Sequence, residues 1–249
     1  MPIPARPDFL DYPFMPKRPL VSVLTPTYNR RPFIPQYLKN LRKQTYPHSC
    51  IEILVADDGE DPVRDLIKAD DRVRYLRLEG RRPLGWKRNL LAQEARGDIL
   101  LHMDDDDYYP PMRISHAVAR LMESDRLIAG ASGVYIYNSA IDKVVVSGPY
   151  GPNHGLDGTF AYRRELLRTQ SFDPDAMVRV EARFTANFTI PMVQLDPRST
   201  ILIMQHAFNT WDKTKTGVRP TQLRLKDFVK NLDDRRFYRT GLPKRNSSR

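Results

Sequence analysis

Four consecutive aspartates, Asp104-Asp105-Asp106-Asp107, follow directly on the apolar run Ile99 to Met103. Adjacent carboxylates repel one another and raise each other's proton affinity unless a cation or hydrogen-bond donors neutralise them. Carboxylate oxygens suit hard divalent ions such as Mg2+ or Mn2+, which keep several waters and share their coordination with substrate phosphates. The bland alternative is a solvated acidic turn in which Asp107 caps the next helix. Placement at the carboxyl end of a buried strand favours the ion, because ligands of α/β sheets bind there. Two more polar clusters end apolar runs in the same way. Asp57-Asp58-Gly59 follows Ile51 to Ala56; the glycine permits a tight turn, and the carboxylates can accept hydrogen bonds from a base N–H or from ribose hydroxyls. Alone it is a common turn. Thr25-Pro26-Thr27-Tyr28-Asn29-Arg30 closes the run that starts at Leu20 and offers hydroxyls, an aromatic face and a guanidinium. Three strand ends are therefore expected to converge on one polar crevice.

The elements that must position these groups alternate in period. The runs 20–25, 51–56, 73–78 and 98–103 read as strands, the first stopping where Pro26 removes a ladder donor. Between them lie segments of helical spacing. Ile34, Tyr37, Leu38 and Leu41 follow Pro32, a second helix is expected near 62–69, a third over 84–95, and a fourth from Pro110-Pro111 to about Ser124. Strand and helix alternating at this interval predict a mostly parallel sheet covered on both faces. Beyond residue 125 the texture changes to short β-rich pieces at 127–131, 134–137 and 143–146. Helices are expected near 163–169 and 180–188, and a strand over 200–204.

The expected organisation is a proline-rich extended arm over 1–19, one domain over 20–222 and a basic tail over 223–249. Within the domain, the change of texture near residue 125 separates a 20–125 half from a 126–222 half. No apolar run approaches the ~20 residues that span a bilayer, and the first residues lack the apolar centre of a signal peptide, so the expected location is cytoplasmic. The single cysteine, Cys50, excludes an internal disulfide and a cysteine-rich zinc cluster. A net charge of +10 suits anionic partners, and the basic tail could make peripheral contact with an anionic surface. The excess is not interleaved with aromatics in a repeating module, and an acidic groove would repel phosphate backbone, so no nucleic-acid partner is expected.

Four motifs in this order resemble those of family 2 glycosyltransferases, which have the nucleotide-diphospho-sugar transferase (GT-A) fold: Val21 to Arg30, Ile53 to Gly59, Gly85-Trp86-Lys87-Arg88-Asn89, and Gly97 to Asp107. The resemblance covers roughly residues 20 to 125 and implies that this half binds the nucleotide-sugar and 126–222 the acceptor. It implies an α/β GT-A fold in which a mostly parallel central sheet is flanked by helices and joined to a smaller mixed-sheet half. It further implies a nucleotide-diphosphate sugar donor, UDP-sugar favoured, a Mn2+ or Mg2+ cofactor, and inverting transfer to a hydroxyl of a glycan, lipid or protein. Thr25, Pro26, Tyr28 and Arg30 would line the nucleotide pocket. Asp57 or Asp58 would read the base, Arg88 would help fix the nucleotide or the acidic loop, and Lys87 and Asp105 would complete the nucleotide set. Asp104 and Asp106 match the two acids of the Asp-x-Asp motif, the first toward ribose and metal and the second toward metal. With aspartate at every position of the run, Asp106 and Asp107 both remain open as the closest ligand.

An inverting transfer needs one general base for the acceptor hydroxyl. Family members usually draw it from an acidic pair in the second half, and this sequence has none there. Glu181 is the expected base, with Asp173 and Asp175 as alternatives and Asp173 better suited to a turn. Gly155 to Arg164 resembles the family's acceptor-side glycine-rich loop, where Asp157 could hold sugar hydroxyls or merely close a β-turn. After the 200–204 strand, His206 could add a metal ligand or be a packed structural residue, and Lys213 or Lys215 could meet the leaving diphosphate. His102, inside a strand, is expected to be packed. The chief rivals are a sugar-nucleotide nucleotidyltransferase, which would need a glycine-rich basic loop where this chain has Pro-Thr-Tyr-Asn-Arg, a basic nucleic-acid-binding protein, and an inactive scaffold on the same fold.

Overall fold

The computed structural model describes residues 18–206, 209 and 217–241. The expected arm lies almost wholly outside the described residues, as do Lys213, Lys215 and the end of the tail.

Seven strands form the main sheet in the order β3-β2-β1-β4-β8-β5-β9. They are β1 (Val21–Thr27), β2 (Ile51–Asp57), β3 (Val73–Arg77), β4 (Ile99–His102), β5 (Ile128–Gly130), β8 (Ala161–Arg163) and β9 (Met192–Gln194). Only β8 runs against its neighbours. A second sheet has the order β10-β6-β7-β11, from β6 (Val134–Asn138), β7 (Lys143–Ser147), β10 (Leu202–Gln205) and β11 (Val218–Pro220). A bridge between Tyr108 and Leu202 joins the acidic run to that second sheet. The α/β architecture expected from the strand-helix alternation is the one observed.

Every residue of β1 is buried, as suits a central strand covered on both faces. The strand runs on through Pro26 to Thr27, two residues past the expected stop. The Leu24 carbonyl faces β4, accepting from Met103 N, and the Thr27 carbonyl faces β2, accepting from Asp58 N. Pro26 must then face the β4 side, where the ladder has already ended opposite Leu24. Its missing N–H costs nothing there.

Helix α1 (Ile34–Arg42) has no side-chain cap. It is held instead by Ile34, Tyr37, Leu38 and Leu41, all buried in the main core; each such side chain is worth roughly 1.5–3 kcal/mol of burial. The expected helix at 62–69 is the short α2 (Arg64–Ile67), while α3 (Leu84–Glu94) and α4 (Arg113–Met122) match their expected spans closely. At the start of α3 a Cβ on Gly85 would meet the Asp173 carbonyl oxygen at 1.9 Å, so glycine there lets the helix close on the 173–176 loop.

Two expected helices are not formed. Residues 161–163 are β8, needed to bridge β4 and β5, and 164–168 form a 3-10 turn. From that turn Arg164 donates to the carbonyls of Ala95 and Gly97, which would otherwise be left open beyond α3. The expected 180–188 helix is the single turn α5 (Glu181–Phe184). It stops because the Thr185 hydroxyl donates to the Glu181 carbonyl and accepts from Phe188 N, competing with the helical ladder. Ala186, Asn187 and Phe188 then turn left-handed. Ahead of β10, Thr200 ends the turn α6 (Pro197–Thr200) and does not begin the strand.

Residues 225–241 are built into the fold. They form α7 (Leu225–Phe228), α8 (Leu232–Arg236) and a π-turn over 237–241. Leu225, Val229 and Tyr238 are buried against Tyr108, Tyr137, Leu202 and Met204. Among the described residues no helix is long and apolar enough to cross a membrane.

On α4, burial pushes the His116 imidazole down to about 4, aided by Arg113 and Arg120 and opposed by Asp196. Its Nε2 accepts from Asp196 N at 3.1 Å, which requires the neutral ring. The unfolded chain therefore binds more protons than the folded one between about pH 6.5 and 4, and stability falls as pH falls through that window. A loss of up to about 2 kcal/mol between pH 7.5 and 5 is expected from this group. Denaturant unfolding of wild type and His116→Gln at both pH values checks it, because the variant should lack that share of the slope.

Candidate active site

A cleft of about 770 Å³ opens at the carboxyl edge of β1 and β4, within the range of small-molecule sites. Pro26, Tyr28 and Arg30 come from beyond β1, Asp104, Asp105 and Asp106 from beyond β4, Lys87 from α3, and Glu181 from α5. The first acids and the expected base thus share one space, although they lie far apart in the chain.

The acidic run is held from several sides. Asp104 N donates to Tyr109 Oη at 2.7 Å, and one Asp104 carboxylate oxygen accepts from Arg88 Nη2 at 2.7 Å. Arg30 reaches Asp105 at 3.8 Å and Asp106 at 3.3 Å, and His206 Nε2 lies 3.3 Å from Asp106 Oδ2. Burial first, and the Asp106 charge second, push the Asp105 carboxyl up to about 8, against the pull of Arg30. Asp107 turns away from the cleft: its Oδ1 accepts from Met204 N at 2.7 Å. Of the two acids left open, Asp106 is the one that faces the cleft.

Arg88, fully buried, forks between two acids. Its Nε and Nη2 donate to Asp157 Oδ2 at 3.0 and 2.6 Å while Nη2 also serves Asp104. The other Asp157 oxygen lies 2.9 Å from His102 Nδ1. Burial alone would raise the Asp157 carboxyl, but Arg88 and His102 hold it down at about 2. His102 is packed among Phe160, Tyr162 and Phe172, and burial and Arg88 lower its proton affinity. Asp157, expected to meet an acceptor sugar, spends both carboxylate oxygens on this network and does not line the cleft. Arg113, also fully buried, ties the β4 end to the same turn by donating to the carbonyls of His102, Thr159 and Phe160.

The two other strand ends divide their labour. Asp57 closes its own turn, accepting from Gly59 N, Val63 N and Tyr75 Oη. Asp58 accepts from Arg82 N and from Lys87 Nζ, each at 2.7 Å. Burial lowers the Lys87 ammonium, with Asp58 pulling the other way. Thr25 lies beneath the cleft, its hydroxyl donating to the Met103 carbonyl and bonded to Tyr37 Oη. Sequence reasoning missed Arg81, Arg82 and Arg179 in the cleft wall. Arg81 lies over Tyr28 at 4.7 Å and Arg82 over Trp86 at 5.3 Å; the only local signal was a basic doublet after Gly80, whose φ is +67°. On the acceptor side, burial raises the Glu181 carboxyl. Asp173 Oδ1 accepts from Asp175 N in a local turn, and neither acid lines the cleft.

Among the described residues no three His, Cys, Asp or Glu side chains converge tightly enough to enclose a metal alone. Asp105 Oδ2 is nevertheless buried without a hydrogen bond, Asp104 is partly exposed, and Asp106 sits beside an imidazole nitrogen. A few carboxylate oxygens with one nitrogen, open toward a cleft, suit a hard ion that completes its shell with phosphate and water.

The sequence pattern of glycosyl transferase family 2 matches residues 22–182. The chain belongs to this family. The family 2 match takes in both the acidic strand end and Glu181. Among relatives, the putative teichuronic acid biosynthesis glycosyltransferase TuaG of Bacillus subtilis is 31% identical over 111 residues, 43% of each chain. The chain therefore spans less than half of that relative's length. Among solved structures, S. aureus TarS in complex with UDP-GlcNAc superposes with a TM-score of 0.59 at 20% identity, over 76% of this chain and 59% of that one. The mannosyltransferase PcManGT from Pyrobaculum calidifontis, in complex with GDP-Man and Mn2+, gives 0.60 at 20% identity, over 75% and 57%. These likenesses establish the GT-A fold for this family 2 chain.

Proposed function

We propose that this chain is an inverting, divalent-metal-dependent glycosyltransferase that moves a sugar from a nucleoside-diphosphate sugar to a hydroxyl of a glycan, lipid or protein. The observation that carries the reading is that Asp104, Asp105 and Asp106 share one cleft with Glu181, contributed by opposite halves of the fold. The complexes of TarS with UDP-GlcNAc and of PcManGT with GDP-Man and Mn2+ support the donor class and the ion, and UDP-sugar is the favoured donor.

Asp104, Asp106 and His206 would hold the ion, which neutralises the departing diphosphate when bound. Pro26 and the Tyr28 face take the nucleotide base, Asp58, its carboxylate fully buried behind the cleft wall, holds Lys87 in place, and Arg30 keeps Asp105 and Asp106 in register. Arg88 holds Asp104, and Asp157 and His102 hold Arg88, so those two position the site and do not touch substrate. Glu181 accepts the acceptor hydroxyl proton as the new glycosidic oxygen–carbon bond forms and the bond to the diphosphate oxygen breaks; a carboxyl raised by burial is a stronger base for this.

Calorimetric titration with UDP and GDP, each with and without Mn2+, tests the reading. Mn2+-dependent nucleotide binding is expected, weakened at least about tenfold in Asp106→Ala. A folded protein that binds neither nucleotide would return the inactive-scaffold or nucleic-acid reading to first place.

A further inference from the structure

The acidic site is backed by residues from the far end of the described chain. Arg30 lies over the Phe33 ring at 5.6 Å, and the His206 ring packs on the same phenyl at 4.8 Å. The Arg30 guanidinium and the His206 imidazole each reach Asp106 at 3.3 Å. Phe33 therefore sets the spacing of two groups that meet Asp106, and Phe237 stands edge-on to it, with ring centroids 6.4 Å apart at 86°. The next residue, Tyr238, is buried and donates from its hydroxyl to the Asp107 carbonyl at 3.3 Å. Asn40 of α1 donates to that carbonyl at 3.3 Å and to the Tyr238 hydroxyl at 2.9 Å. One turn earlier, buried Asp234 is clamped by Lys39, at 2.6 Å, and by Lys43. A carboxylate placed between two lysines of α1 fixes the segment laterally as well as by packing, since an unpaired buried charge would be costly.

We propose that Phe237 and Tyr238 are positioning residues of the acidic site, and that the 225–241 segment braces the Asp106-Asp107 turn and the Arg30–Phe33–His206 stack for metal and nucleotide. The inference rests on the transferase reading above. Groups one layer behind metal ligands govern affinity by holding the ligands in place. The brace acts on both sides of Asp106, through the Asp107 carbonyl on one side and the Phe33 ring on the other.

The test is Mn2+ binding to the UDP-saturated full-length protein, measured by calorimetry for wild type, Tyr238→Phe, Phe237→Leu and the control Leu232→Ser, which changes a 73% exposed residue of the same segment. About tenfold weaker Mn2+ binding is expected in the first two variants, with the metal-free melting temperature nearly unchanged and the control at wild-type affinity. Should Phe237→Leu melt much earlier, Tyr238→Phe decides, because it keeps every carbon of the side chain. Mn2+ affinity within twofold of wild type in Tyr238→Phe and in a folded Phe237→Leu overturns the brace alone. Absence of Mn2+–UDP binding in the wild-type protein overturns the transferase reading, and the brace with it.

Discussion

Glu181→Gln is expected to lower kcat about a thousandfold while Mn2+-dependent UDP binding stays within twofold of wild type. General-base catalysis contributes roughly 10²–10⁴-fold, and glutamine keeps the size and polarity of the side chain while removing its basicity. Glu181 lines the same cleft as the acidic run, and burial, with a smaller push from Asp157, raises its carboxyl. A base must be deprotonated to act. Wild-type kcat should therefore fall as pH drops through a value above the ordinary glutamate range, and that limb should vanish from the residual activity of the variant. Asp173→Asn and Asp175→Asn serve as controls, since Asp173 is tied into its own turn and Asp175 is exposed. A thousandfold loss in either of them, with Glu181→Gln near wild type, would move the base to that acid. Donor-sugar turnover at saturating acceptor, across a pH series, reads all three.

Arg88→Met is expected to be the most destabilising single change in the site. Arg88 is fully buried and supplies three hydrogen bonds to Asp104 and Asp157. Its removal leaves the largely buried Asp157 carboxylate with only the His102 imidazole beside it, whose proton affinity burial lowers. Breaking such a pair costs about 3–5 kcal/mol, which for a chain of this size corresponds to a melting temperature roughly 6–20 °C lower. Arg88→Lys should recover only part of this, because an ammonium cannot reproduce the fork that serves Nε and Nη2 together. Combining Arg88→Met with Asp157→Asn should be less damaging than the sum of the two changes, since the second removes the charge that the first strands. Chemical denaturation at pH 7.5 measures Arg88→Met, Arg88→Lys, Asp157→Asn and the double variant, and strict additivity would mean that Arg88 and Asp157 do not act as a unit.

The positions of the acids along the chain were legible in the sequence because they depend on local pattern. An apolar run that stops at a polar cluster marks a strand end, strand-helix alternation makes the neighbouring strands parallel, and parallel strands bring their carboxyl ends to one edge. That logic placed Tyr28, Arg30 and Asp104 to Asp106 around one crevice, and the same local spacing identified Ile34, Tyr37, Leu38 and Leu41 as core. It also located Lys87 and Arg88 on α3, and the resemblance left Arg88 between the nucleotide and the acidic loop, whose Asp104 it holds.

Tertiary structure decided what pattern cannot carry, namely which partner each side chain meets. Asp57 and Asp58 are neighbours with equal local prospects, yet alternation at the strand end turns one into its own loop and the other toward Lys87. Asp157 looked like an acceptor contact in a glycine-rich turn, and a buried arginine from α3 claims it. A helix was expected from residue 163 to 169, but 161–163 form a strand because the two strands on either side needed a third between them. Arg81 and Arg82 entered the cleft through a loop whose course no periodicity describes. Residues 225–241, polar and weakly patterned, gained their structure from the surface they cover, because three short helical turns bury Leu225, Val229 and Tyr238 only against strands and an α1 helix folded long before them in the chain. Local sequence sets where a strand ends and which face of a helix is apolar; pairing of buried charges and docking of short turns depend on groups brought close by the whole fold.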